Sequence, residues 1–399
     1  MYRVSSFIPQ FAYALLLGAA LATLWVNLAP ATYYDAMEWR LVTLHLPGWL
    51  LDSNTRVTLI SLTSDLLMAL FFFLLGKELW EAHRFERGAL HGARAALPLL
   101  ATLGALAGGV AVWLLTAALI VRAEEAGFGT GWPVPLGGDV VLCYIIGRRV
   151  FGPASPALHL LLLISIGANL AGLLALGLAF PAQPLRLVWL ILPLVASLGV
   201  WLLCGRHARA GRERDRQRAL HLWPYLLAGA LSWIGVAASG LPGALGLLPV
   251  IPAIPHADRS FGLFAEAEEL LHDPLNRIAH LLVRPILLTL FLFGLTRGGV
   301  DLGAFAPTTL VTLAAFWIGK PMGLIAATLL ATRRLRLPLP EGVSLADMAR
   351  IAGLMGIGFT VPLVALDSAL PGGAMAEAAR LGLLVSLLAT ALVLLRRPR

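Results

Sequence analysis

The segment Trp132-Pro-Val-Pro-Leu-Gly-Gly-Asp-Val-Val-Leu-Cys-Tyr-Ile-Ile146 is apolar except for one carboxylate, Asp139, which directly follows Gly137 and Gly138. Hydrocarbon offers no water to a freed backbone group, and each one left unpaired costs several kcal/mol. A helix that breaks at membrane depth must therefore line a protein-enclosed cavity. A charge placed at such a break is a candidate functional group. The competing reading is a loop that tops a short helix at the bilayer surface. Against it stands a second interrupted segment, Arg350-Ile-Ala-Gly-Leu-Met-Gly-Ile-Gly-Phe-Thr-Val-Pro362, whose break is marked by Gly356, Gly358 and Thr360. Paired breaks in corresponding halves point to a transporter.

The rest of the chain supports a membrane setting. Of the 399 residues, 59% are hydrophobic and 13% charged, too little charge to cover a soluble domain. Twelve apolar segments are expected, at 11–28, 57–75, 96–120, 133–146, 160–178, 187–204, 222–238, 243–254, 278–295, 310–330, 348–365 and 381–395. The fold class is thus an all-α polytopic membrane protein with twelve transmembrane helices, the fourth and eighth short for an untilted span. The first apolar run is long enough to stay in the bilayer and reads as a permanent span rather than a secretory signal. Cys143 and Cys204 lie within or at the ends of apolar segments and read as small buried residues, with no disulfide, metal site or cofactor expected.

A net charge of +8 would suggest nucleic acid in a soluble protein. Here the arginines concentrate in loops, where insertion bias and anionic lipid explain them, and no basic-aromatic platform for nucleic acid is visible. Most basic residues, including Lys77, Arg84, Arg148, Arg149, Arg333 and the run from Arg206 to Arg218, fall at one face; Arg40, Arg56, Arg122, Arg186, Arg297 and Arg380 fall at the other. The positive-inside bias makes the first face, and both termini, cytoplasmic. Residues 206–218 then form a basic cytoplasmic linker between six-helix halves at 1–205 and 219–399. The outer loop from Met37 to Leu51 alternates with period two around Pro47-Gly48, which predicts a small outer β-hairpin. Its exposed edge can pair with a second copy to form a homodimer, or the hairpin can simply cover the outer face.

Three ionisable residues lie deep in apolar segments: Asp65, Asp139 and Lys320. Of the 30 basic residues only Lys77 and Lys320 are lysines. An ammonium can lose its proton when desolvated and a guanidinium effectively cannot, so position 320 reads as a titratable or compact cation, the alternative being a lysine that snorkels to the interface. Asp65 either lines an outer funnel or hydrogen-bonds a neighbouring helix. Glu78, with Lys77, Glu81, Arg84, Glu86 and Arg87, reads as a solvated mixed-charge face at the cytoplasmic end. An intramembrane protease is the rival class and no enzyme is expected: there is no His-Glu-x-x-His, and Leu136 stands where an aspartyl protease's Gly-x-Gly-Asp would need its first glycine.

At these residues the chain resembles the bacterial sodium/proton antiporter family typified by NhaA. The matching stretches are Ser64-Asp-Leu-Leu-Met-Ala-Leu-Phe-Phe with Gly76 and Glu78, Trp132-Pro-Val-Pro with Asp139, Ile318-Gly-Lys-Pro-Met-Gly323, Leu339-Pro-Glu-Gly342 and Gly356-Ile-Gly-Phe-Thr360. The resemblance implies an inner-membrane protein of pH homeostasis with inverted repeats, helices three to five against ten to twelve. Its fourth and eleventh helices would be unwound and crossed, with Asp139 and Lys320 neutralising the facing half-helix dipole ends. It also implies a dimer through the outer hairpin.

Departures from the family pattern fall at its site. Sodium-exchanging members carry adjacent aspartates on the fifth helix; the matching stretch here, Leu163-Ile-Ser-Ile-Gly-Ala-Asn-Leu-Ala-Gly172, places Asn169-Leu170 there. The family's pH-linked histidine aligns with Pro242, and the basic residues after the second helix's glutamate align with Trp80 and Glu81. Of a cytoplasmic acidic/histidine cluster, Glu268 and His272 remain. Two readings follow. One is an antiporter exchanging a monovalent cation (sodium or lithium) for protons, with Asp139 as the surviving carboxylate, Lys320 as its cationic partner and Asn169 as a neutral ligand. The other is a divergent relative without sodium exchange, carrying another small ion or acting as a membrane sensor or partner protein.

Overall fold

The computed structural model of the chain describes residues 7–44, 55–84, 90, 92–120, 127–153, 155–205, 220–255, 273–370 and 372–388. Apolar runs close their backbone hydrogen bonds within single helices, as hydrocarbon demands. Helices α1 (Phe7–Leu28) and α2 (Pro30–Glu38) lead to an antiparallel pair, β1 (Arg40–Leu44) and β2 (Thr55–Thr58). A single turn, α3 (Leu59–Ser61), and a π-helical stretch, Leu62–Leu67, continue into α4 (Met68–Arg84). The next helices are α5 (Ala96–Ile120), α6 (Val140–Phe151), α7 (Pro156–Ala179), α8 (Ile191–Val200), α9 (Trp223–Ala238) and α10 (Pro274–Arg297). Then α11 (Pro307–Ala314) runs through a further π-helical stretch, Ala315–Gly319, into α12 (Lys320–Arg333), followed by α13 (Leu345–Leu354), α14 (Thr360–Ala369) and α15 (Ala374–Ser386).

Among the described residues, 7 helical stretches are long and apolar enough to cross a membrane, which makes this a multi-pass membrane protein. The expected eighth helix is corrected: residues 243–254 form 3₁₀ turns, Gly243–Leu245 and Leu248–Ala253. Pro249 and Pro252 withhold two N–H donors that a continuing α-helix would need. The two expected breaks are present. A 3₁₀ turn, Val134–Leu136, passes through extended backbone at Gly137 before α6 begins, and residues 356–359 separate α13 from α14.

Small residues set the closest helix contacts. A Cβ on Gly104 of α5 would lie 2.5 Å from the Gly323 carbonyl oxygen of α12, and one on Gly323 would lie 2.1 Å from that of Gly104. Between α1 and α10 the same role falls to Gly18, where a Cβ would sit 2.1 Å from the Phe291 oxygen. Lipid tails give helices no hydrophobic reason to associate, so close backbone approach and its dispersion energy hold such pairs together. In the hairpin, Leu44 pairs with Thr55 and Arg40 with Thr58, with an irregularity between Arg40 and Val42. The return strand thus lies beyond Leu51, further along than the alternation alone suggested; the Pro47-Gly48 turn lies outside the described residues, as do the linker 206–218, Glu268 and His272.

Candidate functional site

The two breaks cross, and each supplies what the other's backbone lacks. A Cβ on Gly138 would lie 3.2 Å from the Ile357 oxygen, and one on Gly137 would lie 2.4 Å from the Val361 Cβ, so glycine is what lets the two segments meet. The Thr360 hydroxyl donates to the Gly138 carbonyl at 3.0 Å, and the Cys143 thiol donates to the Leu354 carbonyl at 3.1 Å. Flanking helices add two more: Gly138 N–H donates to Asn169 Oδ1 on α7 at 3.1 Å, and Gly358 N–H donates to Ser386 Oγ on α15 at 3.0 Å. Side chains thus pair backbone groups that the breaks release.

Asp139 is the N-cap of α6. Its Oδ1 accepts from the Leu142 N–H at 2.7 Å, and Thr360, which opens α14, stands beside the same carboxylate. Two helix N-termini, both positive dipole ends, therefore converge on one anion. The residue is fully buried, and among the described residues Oδ2 has no hydrogen-bond partner.

Lys320 is also fully buried. Its stem passes Gly109 of α5, where a Cβ would come within 3.0 Å of the Lys320 Cγ, and its ammonium donates to the carbonyl of Gly137. That carbonyl closes the turn Val134–Leu136, so Lys320 neutralises a negative end while Asp139 serves the positive ones. The two charges thus divide between opposite dipole ends. Among the described residues no carboxylate forms an ion pair with Lys320. Lys320 instead lies 4.7 Å above the ring of Phe316.

Asn169 reaches the crossing with both ends of its amide engaged: Oδ1 accepts from Gly138, and Nδ2 donates to the Ser165 carbonyl at 2.8 Å. It acts as a strut for the break. Leu170 is only partly buried, whereas Ser165, Ala168 and Gly172, at helical spacing around Asn169, are buried with it. Asp65 lies apart from the crossing, in the π-helical stretch before α4. It lines a small crevice of about 20 Å³, room for about one water molecule, with Ser64, Phe72, Leu173, Pro242 and Thr360, so the crevice runs from Asp65 to the first residue of α14. Glu78 is remote from both, and the expected solvated face around it is corrected. Lys77, Glu78 and Glu81 are buried, with Lys77 and Glu81 ion-paired at 2.7 Å one turn apart. Helix α4 packs against α10 and the 3₁₀ turns, with Glu78 near Tyr144 of α6 and Glu81 near Asp273 at the start of α10, while Arg84 is exposed.

One cluster escaped sequence reasoning. On the hairpin side, Asp367 of α14 is shared by Arg297 of α10 and Arg380 of α15, and Arg297 Nε also donates to Ser64 Oγ at 2.6 Å. Glu377 of α15 lies 3.8 Å from the Arg380 Nε and accepts from Tyr34 of α2. Partial burial, with Glu377 beside it, pushes the Tyr34 phenol up to about 12, so it stays a donor. The available signal was the presence of Arg297 and Arg380 at span ends on the face otherwise poor in arginine.

Comparison with known proteins agrees with this architecture. Residues 9–395 match the sequence profile described as Na+/H+ antiporter 1. A Na(+)/H(+) antiporter NhaA from Jannaschia sp. (strain CCS1) is 40% identical, covering 97% of this chain and 95% of that protein. A Na(+)/H(+) antiporter NhaA 2 from Pelobacter propionicus is 32% identical over 98% of this chain and 96% of its own length. In fold, the chain is similar to the sodium proton antiporter MjNhaP1 from Methanocaldococcus jannaschii at pH 8, with a TM-score of 0.52, 15% identity and 98% of each chain covered. With a profile match that spans nearly the whole sequence and relatives aligned from end to end, the chain belongs to the Na+/H+ antiporter 1 family.

Proposed function

We propose that this protein is a secondary transporter that exchanges a monovalent cation, sodium or lithium, for protons, with Asp139 as the carboxylate that receives the cation and Lys320 as the group whose proton it displaces. The observation that carries the reading is a fully buried carboxylate at the meeting point of two broken helices, one of whose oxygens accepts no hydrogen bond from the described residues. Such an oxygen can receive a cation, and the convergent helix ends of α6 and α14 favour its charged form. The small crevice that Asp65 shares with Thr360 supports an approach toward Asp139 from the hairpin side. The finer architecture follows the same reading: twelve spans in two halves at 1–205 and 219–399, inverted repeats, a bacterial inner membrane, both termini cytoplasmic, and a homodimer joined through the hairpin.

Charge counting limits the exchange. Asp139 and Lys320 sum to zero when both are ionised, and the amide of Asn169 is already committed to the backbone. A desolvated cation then meets no net negative charge unless Lys320 gives up its proton. Exchange is therefore one for one and electroneutral. The test is sodium-driven proton flux in proteoliposomes with and without an imposed membrane potential. Flux that is present and indifferent to the potential supports the reading; flux that responds to voltage refutes the stoichiometry. The engaged amide of Asn169 favours a second reading, a family member that moves no sodium, and absence of any sodium-dependent flux would decide for it.

A further inference from the structure

We propose that Phe316 is the counter-group of Lys320: the face of its ring occupies the place where a carboxylate would otherwise neutralise the buried ammonium, and so positions that cation at the break. Three observations support this. Lys320 is fully buried, and among the described residues its hydrogen bond goes to a neutral carbonyl, that of Gly137. An ammonium has three N–H groups, so this leaves charge and donors to be met by something else. The ring of Phe316, itself fully buried, lies 4.7 Å below the nitrogen, and an aromatic face attracts a desolvated cation through its quadrupole.

The ring is held in that place from the far side. A Cβ on Gly358 would fall 2.3 Å from the Phe316 Cε1 and 2.6 Å from its Cζ, so the second break leaves the space that the ring fills. A Cβ on Gly356 would also lie 3.0 Å from the Phe316 carbonyl oxygen. Phe316 therefore touches the crossing with ring and backbone alike. The π-helical stretch Ala315–Gly319, which contains Phe316, ends directly at Lys320, and such bulges re-aim side chains at functional sites. Phe316 thus couples the position of the cation to the geometry of residues 356–359. It is a positioning residue, since it touches Lys320 and not the transported ion.

Ring electronics can be varied at nearly constant shape by incorporating phenylalanine with one, two and three fluorines at position 316 of the full-length protein. Thermal unfolding in mild detergent is measured in the Lys320 protein and in a Lys320→Met background. The expected result is a stepwise fall in Tm with each fluorine, on the order of a few degrees across the series, that is absent or much smaller in the Lys320→Met background. An equal fall in both backgrounds, or none in either, overturns the proposal, because packing alone is blind to the charge above the ring. That readout does not depend on transport. The contribution to exchange rests on the antiporter reading and is tested by flux across the same series, which should decline in the same order. If the unaltered protein moves no sodium, the antiporter reading fails while the thermal series still decides the pairing. Flux that ignores the series overturns the part assigned to Phe316 in transport.

Discussion

At the scale of single residues, Lys320 fills a slot defined by the absence of side chains. Gly109 and Gly138 flank it, and a Cβ on Gly138 would sit 3.6 Å from its nitrogen. A planar guanidinium is broader than an ammonium and cannot shed its proton, so Lys320→Arg should abolish flux as completely as Lys320→Ala, with both proteins still inserted and extractable. Losing a hydrogen bond to a charged group costs about 1.5–3 kcal/mol, which corresponds to a loss of at least tenfold. Retention of wild-type flux by either variant would contradict this assignment. Asn169 and its neighbours give a second prediction. The buried helical face of α7 holds Ala168 and Asn169, while Leu170 turns away, so a second carboxylate acts at 168 rather than at 170. Ala168→Asp combined with Asn169→Asp should confer voltage-dependent flux, and Leu170→Asp with Asn169→Asp should not. The comparison is read in proteoliposomes under an imposed potential, and equal behaviour of the two pairs would remove the geometric argument.

At the scale of elements, the breaks exist because glycines stand where each segment meets another's backbone. Gly358→Ala places a methyl inside the Phe316 ring, and Gly323→Ala places one against the Gly104 carbonyl oxygen. Forcing a carbon into a filled contact typically costs about 1–3 kcal/mol, so both should lower Tm in detergent. Their effects on transport should differ. Gly323→Ala separates α5 from α12 along the shaft of the contact, while Gly358→Ala also displaces the ring beneath Lys320. The second variant should therefore lose flux out of proportion to its loss of stability. Equal flux at equal Tm would indicate that residues 356–359 serve packing alone.

At the scale of the whole molecule, charge binds the hairpin side together. Arg297, Asp367 and Arg380 tie α10, α14 and α15, and Ser64 links that network to the stretch that holds Asp65. The hairpin is, among the described residues, a sheet of β1 and β2 alone. We expect that deleting residues 40–51 leaves a folded monomer in mild detergent where the intact protein runs as a dimer, as read by light scattering. A deletion variant that stays dimeric would move the interface elsewhere.

Periodicity and residue type were enough, without coordinates, to locate both breaks, the depth of Asp139 and Lys320, and the first strand of the hairpin, though not its return strand at Thr55–Thr58. These follow from the solvent: hydrocarbon forbids unpaired backbone and taxes buried charge, so glycine-rich interruptions and a lone lysine stand out against a chain that is 59% hydrophobic. The family resemblance carried the same inference to nearly the full length. What the linear order could not decide was partnership. Phe316 reaches Lys320, Asn169 turns its amide to Gly138, and Arg297 meets Asp367 across 70 residues of chain, because helix rotation and π-helical offsets set those contacts. Neither leaves a mark in apolar patterning. Burial of Lys77, Glu78 and Glu81 was hidden for the same reason: their spacing is that of an exposed helical face, and only the tertiary packing of α4 excludes water from it.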